Sequence, residues 1–154
     1  MNQPKSKKNT VIKLTEKKKI LKNRKIEEFV DKLLKSNVNY LIDIRIRPNS
    51  FNKDYDGDRL GRTLETKKIK YLHLIELGNM FKDNNDPLYG DNAYIEFLKV
   101  SGEFVTRRLR KEISENQGKG NLCILCACKY HETCHRNSVS GYLKTNFNAV
   151  IKHL

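Results

Sequence analysis

The segment NYLIDIRI, residues 39–46, constrains the fold more than any other part of the chain. It is an almost unbroken apolar run, as expected for a strand buried on both faces of a parallel sheet. Pro48 stops it, because proline cannot donate a ladder hydrogen bond. KYLHLIEL at residues 70–77 and LCILCA at 122–127 are expected as a second and a third strand, and NAVIKHL at 148–154 as a short last one. Helical periodicity fills the gaps. Ile26, Phe29, Val30, Leu33 and Leu34 form an i, i+3, i+4, i+7, i+8 stripe that ends at Ser36-Asn37. A short helix is expected over residues 58–68, and a longer one starting at Asp91 or Asn92 and carrying Ala93, Phe97 and Leu98. Another follows Gly102 through Phe104, Val105, Leu109 and Ile113, and a last one starts near Cys134 and buries Val139, Tyr142 and Leu143. Strands that alternate with helices predict an α/β fold: a small three-layer α/β/α domain with a mostly parallel sheet of about four to five strands.

In such a sheet the ligand crevice lies outside the carboxyl ends of the strands. The polar loops over residues 47–58, 78–91 and 128–133 all follow predicted strands and fall at that edge. Candidate site residues are therefore sought there.

Charge divides the chain. The formal net charge is +13, and residues 1–25 carry ten Lys or Arg against the single acid Glu16. We read residues 1–25 as a basic arm, disordered or helical, and residues 26–154 as a single α/β domain. The arm suits a polyanion through phosphate contacts that carry no base specificity; a solvated tail is the simpler alternative. No run approaches the roughly 18 apolar residues of a membrane span, and the lysine-rich N-terminus lacks an apolar signal segment. The expectation is a cytoplasmic protein with no membrane partner, whose four cysteines are reduced.

The densest chemistry is CACKYHETCHR, residues 126–136. Zinc favours thiolate and imidazole ligands, so Cys126, Cys128, His131 and Cys134 could close around one. Cys123 cannot join them, because side chains alternate along a strand and Cys123 points away from Cys126. A second reading makes Cys134 a thiol nucleophile activated by a helix start capped by Thr133, with Arg136 nearby. Tyr130, not cysteine, stands six residues before Arg136, so the Cys-x5-Arg phosphatase loop is missing. In a third reading the helix start and Arg136 bind an anion. No metal and no cofactor are assigned from the sequence.

Asp43 and Arg45 share one face at the end of the first predicted strand, either as a salt bridge or facing ligand. Tyr71 and His73 share a face of the second, where a satisfied core histidine is the plainer reading. Asp54, Asp56, Asp58 and Glu65 resemble a calcium loop, but Arg59 stands where its sharp turn needs glycine.

These segments carry a family resemblance. LIDIRIRPNSF resembles the Asp-Val-Arg-x-x-Pro-x-Ser opening of the family known as domain of unknown function 488. KYLHLIELGN is similar to that family's Tyr-x-x-x-x-x-Leu-Gly segment, and LCILCACKYHETCHR to its Leu-Cys-Ala-Glu stretch followed by Cys-His-Arg. The likeness covers roughly residues 38–145. It implies a small three-layer α/β domain with Asp43, Arg45, Pro48, Ser50, Tyr71, Leu77, Gly78, Cys126, Cys134, His135 and Arg136 gathered at one edge. Where the family has Glu after Cys-Ala, this chain has Cys128.

The functional expectation is a small intracellular enzyme, a hydrolase or transferase, acting on a nucleotide or nucleic acid. Asp43, His135 and Cys134 are its catalytic candidates, and Arg45, Ser50, Tyr71, His73 and Arg136 its anion-binding ones. The alternatives are a non-catalytic nucleic-acid-binding module that uses the arm, and a rhodanese-like sulfur carrier that uses Cys134 or Cys128.

Overall fold

The computed structural model describes residues 11–14, 25–82, 85–116, 118–127, 134–147 and 149–153. Five strands form one sheet: β1 (Val11–Leu14), β2 (Val38–Asp43), β3 (Lys70–His73), β4 (Asn121–Leu125) and β5 (Val150–His153). Their order is β3-β2-β4-β1-β5, and every neighbouring pair is parallel. The helices are α1 (Ile26–Lys35), α2 (Gly57–Glu65), α3 (Pro87–Val105), α4 (Arg107–Glu115) and α5 (His135–Phe147). The α/β class and parallel sheet read from the sequence are as expected.

The two faces of the sheet are covered by different parts of the chain. Phe29, Val30 and Leu33 of α1 and Leu60 and Leu64 of α2 pack with Leu41, Cys123 and Leu125. On the other face Tyr94 and Leu98 of α3, Leu109 of α4, and Val139 and Leu143 of α5 pack with Ile42, Ile44, Leu122 and Ile124. Alternation along β2 and β4 produces this division, sending Leu41 one way and Ile42 the other. Each core leucine buried this way contributes roughly 2–5 kcal/mol against truncation to alanine.

The path of the chain sets where a ligand can bind. From β1 the chain steps to β2 and β3 towards one edge, with α1 and α2 on one face. It then reverses through α3 and α4 to β4, and through α5 to β5, on the opposite face. The neighbours β2 and β4 are thus followed by connections to opposite faces, which defines a topological switch point with a crevice at their carboxyl ends.

Several boundaries differ from expectation. Leu34 is not part of the buried stripe of α1; it lies on the exposed side at 44% accessibility. The second and third strands end earlier than their apolar runs. β2 stops at Asp43 and β3 at His73, after which Leu74 donates one last hydrogen bond to the Asp43 carbonyl and Ile75–Leu77 tightens into a 3-10 turn. Helix α3 starts at Pro87, ahead of the Asp91 or Asn92 start expected from the sequence. Asp86 caps it by accepting from the Tyr89 N–H at 2.9 Å, and proline stands in its first turn. The helix predicted after Gly102 is the end of α3 followed by α4, parted at Thr106, whose hydroxyl donates to the Gly102 carbonyl at 2.6 Å.

The largest correction concerns the arm. Val11–Leu14 is neither disordered nor helical: it is the fourth strand in spatial order, inserted between β4 and β5. Four short residues with one lysine read as part of a charged tail, and only pairing on both edges makes them a strand.

Candidate functional site

Asp43 and Arg45 extend from the end of β2 on the face that carries α1 and α2. Arg45 donates from Nε to both carboxylate oxygens of Asp43 (2.9 and 3.0 Å) and from Nη2 to Oδ2 (2.6 Å). Its backbone N–H also donates to Asp43 Oδ1 at 3.0 Å. The Tyr71 hydroxyl, from β3, donates to Asp43 Oδ2 at 2.6 Å. Asp43 is fully buried and Arg45 only 4% exposed. Burial alone would lower the Arg45 pKa, but the bonds to Asp43 and its charge outweigh that and raise it. Tyr71 is driven above its ordinary value by burial and by the Asp43 charge. The group is a locked, ionised pair with a neutral phenol.

Further bonds hold this pair in place. Arg45 Nη2 also donates to the Tyr55 carbonyl at 2.9 Å, and the buried Tyr55 ring meets Phe29 edge-on. His73 Nε2 lies 2.6 Å from the Arg45 carbonyl, so His73 braces the strand end. In the following loop the Ser50 backbone N–H donates to Asp56 Oδ1 at 2.6 Å, and this bond holds the Asp56 carboxyl below its usual range. Asp54 faces Arg59, and Asp56 faces Lys53. Two of the acids that resemble a calcium loop, Asp54 and Asp56, are thus spent on neighbouring cations and a loop amide.

The Cys-His-Arg segment opens α5 on the other side of the crevice. Cys126, Cys134 and His135 are all buried, and a donor atom of each lies within 4.8 Å of the others. Cys126 Sγ is 3.6 Å from His135 Nδ1 and 3.7 Å from Nε2, so the thiol lies alongside the ring. His135 Nε2 is 3.1 Å from the Ile44 carbonyl, and the ring meets Tyr94 edge-on at 5.6 Å. Burial holds the His135 pKa below its ordinary value, with Cys134 and the Ile44 carbonyl acting in the opposite direction. Arg136 Nε donates to Cys134 Sγ at 3.0 Å. Cys123 packs among the side chains of α1 and α2 while Cys126 packs on the opposite face, as strand alternation requires. Cys128, His131 and Thr133 lie outside the described residues.

A cavity of about 280 Å³ joins the two halves, lined by Arg45, Ile46, Arg47, Asn49, Asn79, Lys82, Cys126, Ala127 and His135. It sits at the β2/β4 switch point and takes residues from the loops after β2, β3 and β4. Of the sequence-derived candidates, Arg45 and His135 meet in its wall. Asp43 and Tyr71 stand behind Arg45, and His73 behind its backbone. Arg136 is turned to Cys134 and is not part of the lining, and neither is Ser50. Arg47, Asn49, Asn79 and Lys82 were missed as site residues. Their signal was position alone, in polar loops after strands. Asn79 is buried and fixes the loop after β3, its Oδ1 accepting from the Phe81 N–H at 2.9 Å.

The fold and site define a doubly wound α/β protein with a cationic, thiol- and imidazole-bearing crevice at its switch point. The chain belongs to the family described as Domain of unknown function DUF488, whose model matches residues 25–143. No curated protein and no solved structure matches the chain. No helix among the described residues is long and apolar enough to cross a membrane.

Proposed function

We propose that the protein is an enzyme acting on a phosphate-bearing substrate, a nucleotide or a nucleic acid, whose anionic group enters the switch-point cavity. The lining carries this reading. Among the described residues it holds Arg45, Arg47 and Lys82 with two carboxamides, Asn49 and Asn79, and no acidic side chain. Arg47 and Lys82 are exposed and form no ion pair among the described residues, so their charge is open to a ligand. Arg45 is anchored by Asp43, yet its Nη1 has no hydrogen-bond partner among the described residues. A buried guanidinium nitrogen without a partner is a standing cost that an anion offsets. Cys126 and His135 on the inner wall supply side chains suited to acid–base, nucleophilic or ligating chemistry.

The test is titration of the full chain with inorganic phosphate and with mononucleotides. Arg47→Ala and Lys82→Ala should each weaken binding by about tenfold, the loss of one charge-assisted contact of roughly 1.5 kcal/mol. Unchanged affinity in both variants would place the anion elsewhere. A turnover screen over nucleotide and nucleic-acid substrates then follows with a Cys126→Ser control.

A second reading, a nucleic-acid-binding module that uses the basic arm, is favoured by the charge of residues 1–25 and by β1, which ties that segment into the sheet. It requires affinity that falls steeply with salt. Replacing Lys17, Lys18 and Lys19 by Gln should reduce that affinity and its salt slope, whereas the cavity reading leaves mononucleotide binding unaffected by these changes.

A further inference from the structure

We propose that Cys126, Cys134 and His135 form a three-ligand site for a soft divalent cation of the zinc class. The inference deepens the cavity reading by giving that site a cofactor, and it rests on that reading only for what occupies the open fourth position. Of the ligands the sequence suggests, Cys126 and Cys134 recur here and Cys128 and His131 lie outside the described residues; His135 is the added one.

The donor atoms are two thiol sulfurs and one imidazole nitrogen, mutually within 4.8 Å. Tetrahedral zinc with Zn–S near 2.3 Å and Zn–N near 2.05 Å places sulfur and nitrogen roughly 3.6 Å apart and two sulfurs roughly 3.8 Å apart. Cys126 Sγ and His135 Nδ1 are separated by 3.6 Å. Because Sγ lies nearly as close to Nε2, seating a metal in the ring plane on Nδ1 requires the Cys126 side chain to turn.

The surroundings favour ligation. A metal-bound histidine donates its other ring N–H to a backbone carbonyl or a carboxylate, which fixes the tautomer. His135 Nε2 meets the Ile44 carbonyl at 3.1 Å, which leaves Nδ1 with the lone pair. The Arg136 guanidinium donates to Cys134 Sγ at 3.0 Å, and a cationic donor stabilises the thiolate form that binds metal. Two sulfurs and an imidazole select zinc, or another soft ion, over magnesium and calcium. The three ligands adjoin regular elements: Cys126 directly follows β4, and Cys134 and His135 stand at the start of α5. Two of them, Cys126 and His135, also line the cationic cavity. Among the described residues the site has three protein ligands, two of them on a pocket wall, the pattern of a catalytic metal site that keeps one position for water or substrate.

The experiment is elemental analysis of the full chain, purified under reducing conditions and dialysed, followed by cobalt(II) substitution. The expected result is about one equivalent of metal per chain. Cobalt should produce thiolate-to-metal charge-transfer absorption and the visible bands of a tetrahedral centre. Cys126→Ser and His135→Gln should each lower metal affinity by at least about tenfold. Should these variants fail to fold, thiol titration of the wild-type chain is decisive, because zinc should protect two thiols that a chelator re-exposes. Metal content unchanged in the variants, cobalt binding without charge transfer, or reduced protein that binds no added zinc and forms a Cys126–Cys134 disulfide on oxidation would each overturn the proposal. Arg47→Ala separates the two readings, since it should retain the metal and bind phosphate about tenfold more weakly.

Discussion

Arg45 holds the carboxylate of Asp43, two residues before it in the chain, through Nε, Nη2 and its own backbone N–H. The pair is almost wholly removed from water, and Tyr71 completes the shell of Asp43. Ionised partners in such a place are stable together and costly apart. Asp43→Asn should therefore destabilise the protein by about 3–5 kcal/mol in urea, because it leaves a guanidinium buried without its counter-charge. Adding Arg45→Met should recover part of that loss, and additivity of the two changes would contradict the coupling.

Gly57 and Gly78 are required by close approach. A Cβ on Gly57 would stand 2.8 Å from the Tyr71 hydroxyl and 3.0 Å from Pro48 Cβ. One on Gly78 would stand 2.5 Å from Ile46 Cγ1 and 3.0 Å from the Ile75 carbonyl. Gly78→Ala should cost about 1–3 kcal/mol, as overpacking does. Gly57→Ala should show a further effect, a shift of the Tyr71 ultraviolet absorption and of its titration, because its phenol is pushed off Asp43. An unchanged tyrosine spectrum would refute that contact.

Alkaline stability should reflect one buried acid, Cys123, and one half-buried acid, Tyr71. Burial pushes the Cys123 thiol up to about 12 from 9.0, with Arg136 and Lys13 opposing it slightly, and Tyr71 is raised as well. Both groups hold their protons more tightly in the folded chain than in the unfolded one. Their contribution is thus complete below pH 9 and is lost as pH rises from there through the folded values. The thermal midpoint should fall across that range, and Cys123→Ala should flatten the first part of the fall at some cost in packing.

Deleting residues 1–25 should unfold the protein, not merely weaken polyanion binding. β1 pairs with β4 on one side and β5 on the other, so its loss leaves two unpaired edges in the middle of the sheet. The cooperative melt should disappear in the deletion, whereas Lys→Gln changes at residues 17–19 should keep the far-ultraviolet spectrum. A stable, native-like deletion variant would show that β1 is dispensable.

The sequence alone determined the class of fold. Apolar-rich runs at residues 39–46, 70–77 and 122–127, alternating with helical stripes, point to parallel strands covered on both faces. It also separated Cys123 from Cys126, since strand alternation is local geometry, and it put the chemistry at the carboxyl edge. Tertiary structure decided the rest. Spatial order, with β4 and β1 between β2 and β5, brings the loop after β2 beside the start of α5. That neighbourhood sets His135 against Cys126, turns Arg136 to Cys134, and adds Arg47, Asn79 and Lys82 to the cavity. The recruitment of Val11–Leu14 from a basic tail also belongs there. Periodicity reports which face a residue shares with its near neighbours along the chain. Which distant residue it meets depends on the pairing of strands and the hand of their connections, and no local pattern encodes either.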